Sequence, residues 1–221
     1  MRKYWEVSKI YMKSQLIWRA DVFFNMVFTI GKILFAYLLW GIIFENQSTV
    51  GGFTFSGMLS YYVMNSFLSQ LEMSQGISEE INHRIRNGTF SKYMILPISK
   101  EGYFLTMELG IVLFHLIFDF LTAFVWIIIF KIEFVYTKNV LILLSAFFMS
   151  VMGMIFMVQL NYFLGILTLK YQGIDTFLRI KNNFIALITG TIIPLALFPE
   201  ILVNIMKLLP FYYVSYCLLC W

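Results

Sequence analysis

The chain has 221 residues, of which 60% are hydrophobic, 19% aromatic and only 13% charged, against roughly 45–50% apolar and about 25% charged residues in a soluble domain. That balance excludes a water-soluble fold, since a compact core of this length would leave large apolar patches exposed, and the 24 Phe and 13 Tyr exclude intrinsic disorder. The 16 Lys and Arg against 12 Asp and Glu are scattered between apolar runs rather than gathered into a patch, which speaks against nucleic acid as a partner.

Residues 1–21 mix Tyr4, Trp5, Ile10, Tyr11, Ile17 and Trp18 with Lys9, Lys13 and Arg19. This pattern predicts an amphipathic helix lying in the membrane interface, rings at headgroup level and cations toward anionic lipid. The apolar run that follows is too long for a signal-peptide core and lacks a small-residue cleavage site, so it reads as a retained first span. A helix needs about 20 mostly apolar residues to cross the hydrocarbon. Five segments meet that test: Val22 to Phe44, Phe53 to Leu71, Phe104 to Phe130, Val140 to Leu167, and Phe184 to Val203. They lack the alternation of a membrane barrel. The expected class is an all-α polytopic transmembrane bundle forming a single domain.

Cations set its direction. Arg2, Lys3, Lys9, Lys13 and Arg19 precede the first span, Arg84, Arg86, Lys92 and Lys100 follow the second, and Lys170, Arg179 and Lys181 follow the fourth. The intervening loops are poor in cations, so the N-terminus is expected in the cytoplasm. The triplets Asn46-Gln47-Ser48 and Asn87-Gly88-Thr89 match the glycosylation pattern by chance, the second facing the cytoplasm on this topology.

The segment 72–101 is longer than a connector between antiparallel spans requires. Within it Ile77, Ile81 and Ile85 recur every four residues while Glu79, Glu80, His83, Arg84 and Arg86 point elsewhere, which predicts a short amphipathic helix. Asn87-Gly88 supplies its stop. A second apolar piece, Phe90, Tyr93, Met94, Ile95 and Leu96, is closed by Pro97, giving a helical elbow on the cytoplasmic side.

In the third span Glu108, His115 and Asp119 fall within roughly 40° of one another at about 100° per residue. Lys32 of the first span lies at a depth from which its stem reaches Asp119. The stripe reads either as part of a substrate path or as glue between the first and third spans. His115 and Asp119 have metal-ligand spacing but no third ligand, so no metal site is expected. Ser150 and Gly153 in the fourth span, and Ala186 and Gly190 in the fifth, would admit a close helix neighbour, the latter at a subunit interface. Residues 199–221, interrupted by Asn204, Lys207 and Pro210, read as a re-entrant or interfacial segment. Cys217 and Cys220 provide neither a disulfide framework nor a four-thiol zinc site.

The run Glu80-Ile81-Asn82-His83-Arg84-Ile85-Arg86-Asn87-Gly88-Thr89-Phe90-Ser91-Lys92-Tyr93-Met94-Ile95-Leu96-Pro97-Ile98-Ser99 resembles the signature of the type 2 permease family of ABC transporters. In that family an acidic residue, a Gly-Thr-hydrophobic step and a Leu-Pro-Ile-Ser ending mark the cytoplasmic loop between the second and third spans. Gly190-Thr191-Ile192-Ile193-Pro194-Leu195-Ala196-Leu197-Phe198-Pro199-Glu200, followed by Leu209-Pro210-Phe211, looks like the family's fifth span and re-entrant segment. The likeness covers nearly the whole chain. The family has six spans, and the sixth is expected to be absent or represented by the stub 211–221.

The resemblance implies a permease, most simply an exporter, that works as a homo- or heterodimer in a bacterial cell membrane with separate cytoplasmic ABC ATPase subunits. Its coupling surface would comprise Glu79, Glu80, Arg84, Arg86, Gly88, Thr89, Phe90 and Tyr93, and its re-entrant segment Gly190, Pro194, Pro199 and Glu200. No phosphate-cradling G-x-x-x-x-G-K-[ST] occurs in the chain, and Gly31-Lys32 is embedded in an apolar span. No cofactor is therefore expected here, and ATP with magnesium would belong to the partner. Two other readings stand beside this one: a membrane enzyme acting on lipid-linked substrates with Glu108, His115 and Asp119 as acid and base groups, and a non-transporting scaffold or immunity protein. The substrate is not legible in the spans.

Overall fold

A computed structural model describes residues 2–17, 19–45, 48–50, 52–71, 74–130, 139–171, 173–190 and 195–214. In chain order the helices are α1 (Arg2–Gln15), α2 (Arg19–Phe44), α3 (Phe55–Leu71), α4 (Gln75–Arg86), α5 (Lys100–Phe130), α6 (Val140–Ile166), α7 (Asp175–Ile188), α8 (Glu200–Met206) and α9 (Pro210–Val214). Among the described residues there is no strand, only an isolated bridge between Val50 and Phe53. The chain is all-helical, as its composition requires.

Among the described residues three helices are long and apolar enough to cross a membrane: Phe23–Phe44, Lys100–Val125 and Val140–Leu169. Their surroundings differ. The apolar window of the second is 41% buried inside the protein, against 17% and 18% for the first and third, so α5 is the central helix while α2 and α6 turn wide faces outward. Phe28, Phe35, Leu144 and Phe147 are all exposed, which only a lipid environment makes favourable.

The other two expected spans have a different form. α3 has 17 residues, and Thr54 starts it by accepting the Gly57 N–H at 3.2 Å through Oγ1. The segment Phe184 to Val203 is not one continuous helix: α7 ends at Ile188 and α8 begins at Glu200. The break has a local cause. Gly190 takes φ 74°, a left-handed geometry that ends a helix, and Pro199 caps α8 from an extended conformation. Pro194, Cys217, Cys220 and most of the expected stub 211–221 lie outside the described residues.

Besides Ala36, Trp40 and Met58 between α2 and α3, two apolar clusters hold the bundle among the described residues. One gathers Ile77, Ile81, Phe90, Tyr93, Phe104, Met107 and Val158, with Val7 and Tyr11 of α1 packed against it. The other gathers Tyr61, Ile188, Leu195, Met206 and Tyr212. α3 runs between them, since it begins beside the second and leads into the elbow of the first. Its Tyr61 hydroxyl donates to the Gly190 carbonyl at 2.8 Å in the buried interior. The first cluster brings α1 to the start of α5, and α4 packs on α6 and α7. The three cation-bearing segments therefore share one end of the bundle.

α1 is helical as expected, and it is anchored rather than adrift. Gly102, Thr106 and Gly110 form a small-residue stripe on α5. A Cβ on Gly110 would stand 2.3 Å from the Ser8 carbonyl oxygen, so the two backbones meet there.

Candidate functional site

The elbow begins with α4, whose hydrophobic face seats Ile77 and Ile81 in the core. It stops in a Schellman motif: Gly88 takes φ 67°, its N–H donates to the Ile85 carbonyl at 3.1 Å, and the Thr89 N–H donates to the Arg84 carbonyl at 2.8 Å. A 3₁₀ turn over Phe90–Tyr93 then folds the chain back. Ser99 opens α5, accepting the Gly102 N–H at 3.3 Å and sharing a 3.1 Å hydrogen bond with the Tyr4 hydroxyl. The Leu-Pro-Ile-Ser ending thus works as a helix cap that also ties down α1.

The charges expected to meet a partner are partly used within the elbow. Arg84 Nε donates to Glu80 Oε1 at 2.9 Å, and its guanidinium also lies 5.1 Å from the Tyr93 ring centroid. The Tyr93 hydroxyl donates to the same Glu80 oxygen at 2.8 Å. Burial first, then the bond to Glu80, pushes the Tyr93 phenol far above the ordinary tyrosine range. Phe90 and Tyr93 are 7% and 6% exposed. They brace the elbow from inside, where the sequence reading had put them on its contact surface. Their aromatic character is a packing requirement, since Tyr93 stacks near Tyr103 and Phe104 at 5.4 and 5.2 Å.

The surface the elbow does present consists of Glu79, His83, Arg86, Asn87 and Gly88, with Thr89 half-buried at its edge. Met94 and Ile95 follow as exposed apolar residues. Between α4 and α7 opens a groove of about 450 Å³ with Leu178 on its wall and Glu79, His83, Arg86, Asp175 and Arg179 around it.

Residues not singled out from sequence fasten this surface to the bundle. Asp175, at the first position of α7, accepts from the Asn82 side chain and pairs with Arg86 at 2.6 Å. Asn182 donates to Glu79 at 3.4 Å. Fully buried Asn161 on α6 donates to Ser74 at 2.8 Å and accepts from Lys181 of α7. The available signals were a lone Asn inside an apolar run and a lone Asp in a cationic loop.

In the membrane-spanning part, Glu108 and His115 are both buried, at 1% and 7% exposure, so the stripe faces inward. Lys32 is exposed on α2. The side chain of Asp119, its expected partner, lies outside the described residues. Among the described residues no three His, Cys, Asp or Glu side chains converge as a metal site. At the other end, Glu200 occupies the first turn of α8, where a carboxylate complements the helix dipole.

The sequence resemblance led us to expect the helical elbow and the long third span, whereas the inward bracing of Phe90 and Tyr93 and the break within the expected fifth span are findings of the structure. The family model of the ABC-2 family transporter proteins matches residues 30–217, which includes the elbow and the helix break, and the chain belongs to this family. It is accordingly a membrane protein and the permease component of an ABC transporter. Comparison with curated proteins and with solved structures returned no match.

Proposed function

We propose that the elbow from Glu79 to Tyr93 receives force from a separate cytoplasmic ABC ATPase, and that the chain exports its substrate as one half of a homo- or heterodimeric permease in the cell membrane. ATP and magnesium act on the partner, and this chain performs no catalysis of its own. The N-terminus and the elbow lie in the cytoplasm. Five segments cross the membrane, α3 and the broken stretch from α7 to α8 joining the three long helices.

The observation that carries this reading is the bracing of the elbow. Glu80, Arg84 and Tyr93 lock its shape from within, Asp175 and Asn161 lock it to α7 and α6, and Glu79, His83 and Asn87 are left exposed. A rigid piece that is tied to two helices and open on its outer face transmits a push without absorbing it. Positive-inside bias supports the sidedness, since the cationic segments share that end.

The test is co-expression with candidate ATPases. Reversing one exposed charge and adding another beside it, Glu79→Arg with His83→Glu, is expected to cut ATPase co-purification about tenfold, equivalent to about 1.4 kcal/mol of interface energy. Undiminished co-purification would remove the elbow from that role. A cysteine at Asn87 should react with an impermeant maleimide only after the cells are permeabilised, and reaction in intact cells would reverse the topology.

A further inference from the structure

The outward half of α1 is a cationic surface on a helix held against the membrane-crossing helix α5. Ser8 and Tyr4 touch α5 at Gly110 and Gly102, both within the membrane-crossing stretch Lys100–Val125. At about 1.5 Å per residue Gly102 and Gly110 lie roughly 3 and 15 Å along that helix, so α1 rests against the first half of α5. α2 starts only a few residues beyond the end of α1, so the chain has little room to lift α1 off the membrane.

The exposed half of the helix is ordered by chemistry. At about 100° per residue, Arg2, Lys9 and Lys13 fall within roughly 40° of one another, with exposed Trp5, Met12 and Leu16 on one side of this ridge and exposed Ile10 and Ile17 on the other. Lys9 sits 5.7 Å from the Trp5 ring centroid, with Glu6, the helix's one acid, 3.5 Å away. Cations between apolar edges suit a surface that is apolar below and anionic above.

The buried half leads to the elbow. The Tyr11 and Tyr103 hydroxyls are 2.6 Å apart, the Tyr103 ring lies 5.4 Å from that of Tyr93, and Tyr93 donates to Glu80. The chain of contacts from α1 to the inner bracing of the elbow is unbroken.

We propose that α1 is a binding surface for anionic phospholipid headgroups, and that its occupancy stiffens the elbow through the Tyr11–Tyr103 hydroxyl bond. The second half rests on the elbow being the coupling element, whereas the lipid surface does not. The experiment uses the full chain in phosphatidylcholine vesicles with and without phosphatidylglycerol. Trp5 fluorescence, isolated as the difference from Trp5→Phe, should be quenched more by brominated phosphatidylglycerol than by brominated phosphatidylcholine. That preference should fall about thirtyfold in Lys9→Gln/Lys13→Gln, each lysine contributing about 1 kcal/mol near an anionic surface. Equal quenching by the two lipids, or a preference that survives the double substitution, overturns the lipid surface.

Hydrogen exchange over residues 77–93 should slow when phosphatidylglycerol is present, and Tyr11→Phe should abolish that slowing while leaving the quenching intact. Exchange that ignores the lipid, or ignores Tyr11→Phe, overturns the transmission. Neither readout needs an ATPase, so a failure of the transport reading would show separately, in the co-purification.

Discussion

Gly165 and Ile81 approach so closely that a Cβ on Gly165 would stand 2.9 Å from the Ile81 Cβ. The contact is between the last turns of α6 and the middle of the elbow helix, and the Ile81 atom involved is fixed to the backbone, so it cannot swing aside. Gly165→Val is expected to push α4 off α6 at a cost of about 1–3 kcal/mol. Gly76→Ala, on the same elbow helix but with open space around it, should instead stabilise by a few tenths to about 1 kcal/mol. Unfolding titrations in mixed micelles compare the two directly, and a Gly165→Val variant as stable as the parent would contradict the close approach.

Asn161 joins three elements through one amide. It is fully buried, and it donates to Ser74 while accepting from Lys181. Asn161→Ala should cost about 1–3 kcal/mol, because buried polar partners lose a hydrogen bond in a region of low dielectric. Asn161→Asp keeps an oxygen for Lys181 and should recover more than half of that loss. The same micellar unfolding assay decides it, and an alanine variant more stable than the aspartate one would show that the amide plays no joining role.

The contrast between these residues and those read from sequence is physical. Composition alone fixed the helical class and the lipid environment, and the four-residue repeat of isoleucines located α4 with its Gly88 stop. Periodicity says which face of a helix is apolar, yet it cannot say whether an aromatic on a short turn points out or in. Phe90 and Tyr93 point in because Phe104 and Tyr103 of α5 and Val158 of α6 are there to receive them, the last a partner far along the chain. Small residues pose the same difficulty. Ser150, Gly153, Ala186 and Gly190 were singled out, whereas the close helix approaches at Gly110 and Gly165 were not, because what makes a glycine matter is the backbone opposite it.

Asp175 and Arg86 form an ion pair at 2.6 Å that is about half exposed on both sides, so by itself it contributes about 0–1 kcal/mol. Asp175 also receives the side chain of Asn82, which is 3% exposed. Asp175→Ala should therefore cost about 1–3 kcal/mol, since a buried amide loses its acceptor, whereas Arg86→Ala should cost less than about 1 kcal/mol. Raising the salt concentration should weaken only the Arg86 part. Equal losses for the two substitutions would mean that the exposed pair, and not the buried amide, fastens the elbow to α7.

Tyr93 supplies the pH dependence. Burial and the bond to Glu80 raise its pKa in the folded chain, while in the unfolded chain it titrates near pH 10. Below about pH 10 both forms hold the proton and the contribution is whole; above it the unfolded chain releases the proton first, so stability falls as the pH rises. Tyr11 behaves alike, burial again coming first and the bond to Tyr103 second. Tyr93→Phe should cost about 1 kcal/mol at neutral pH, because Glu80 keeps Arg84 but loses one donor. It should also make the decline between about pH 10 and 12 shallower than in the parent. Unfolding midpoints measured from pH 8 upward in both proteins test this, and parallel declines would mean that the Tyr93 phenol ionises as freely in the folded elbow as in the unfolded chain.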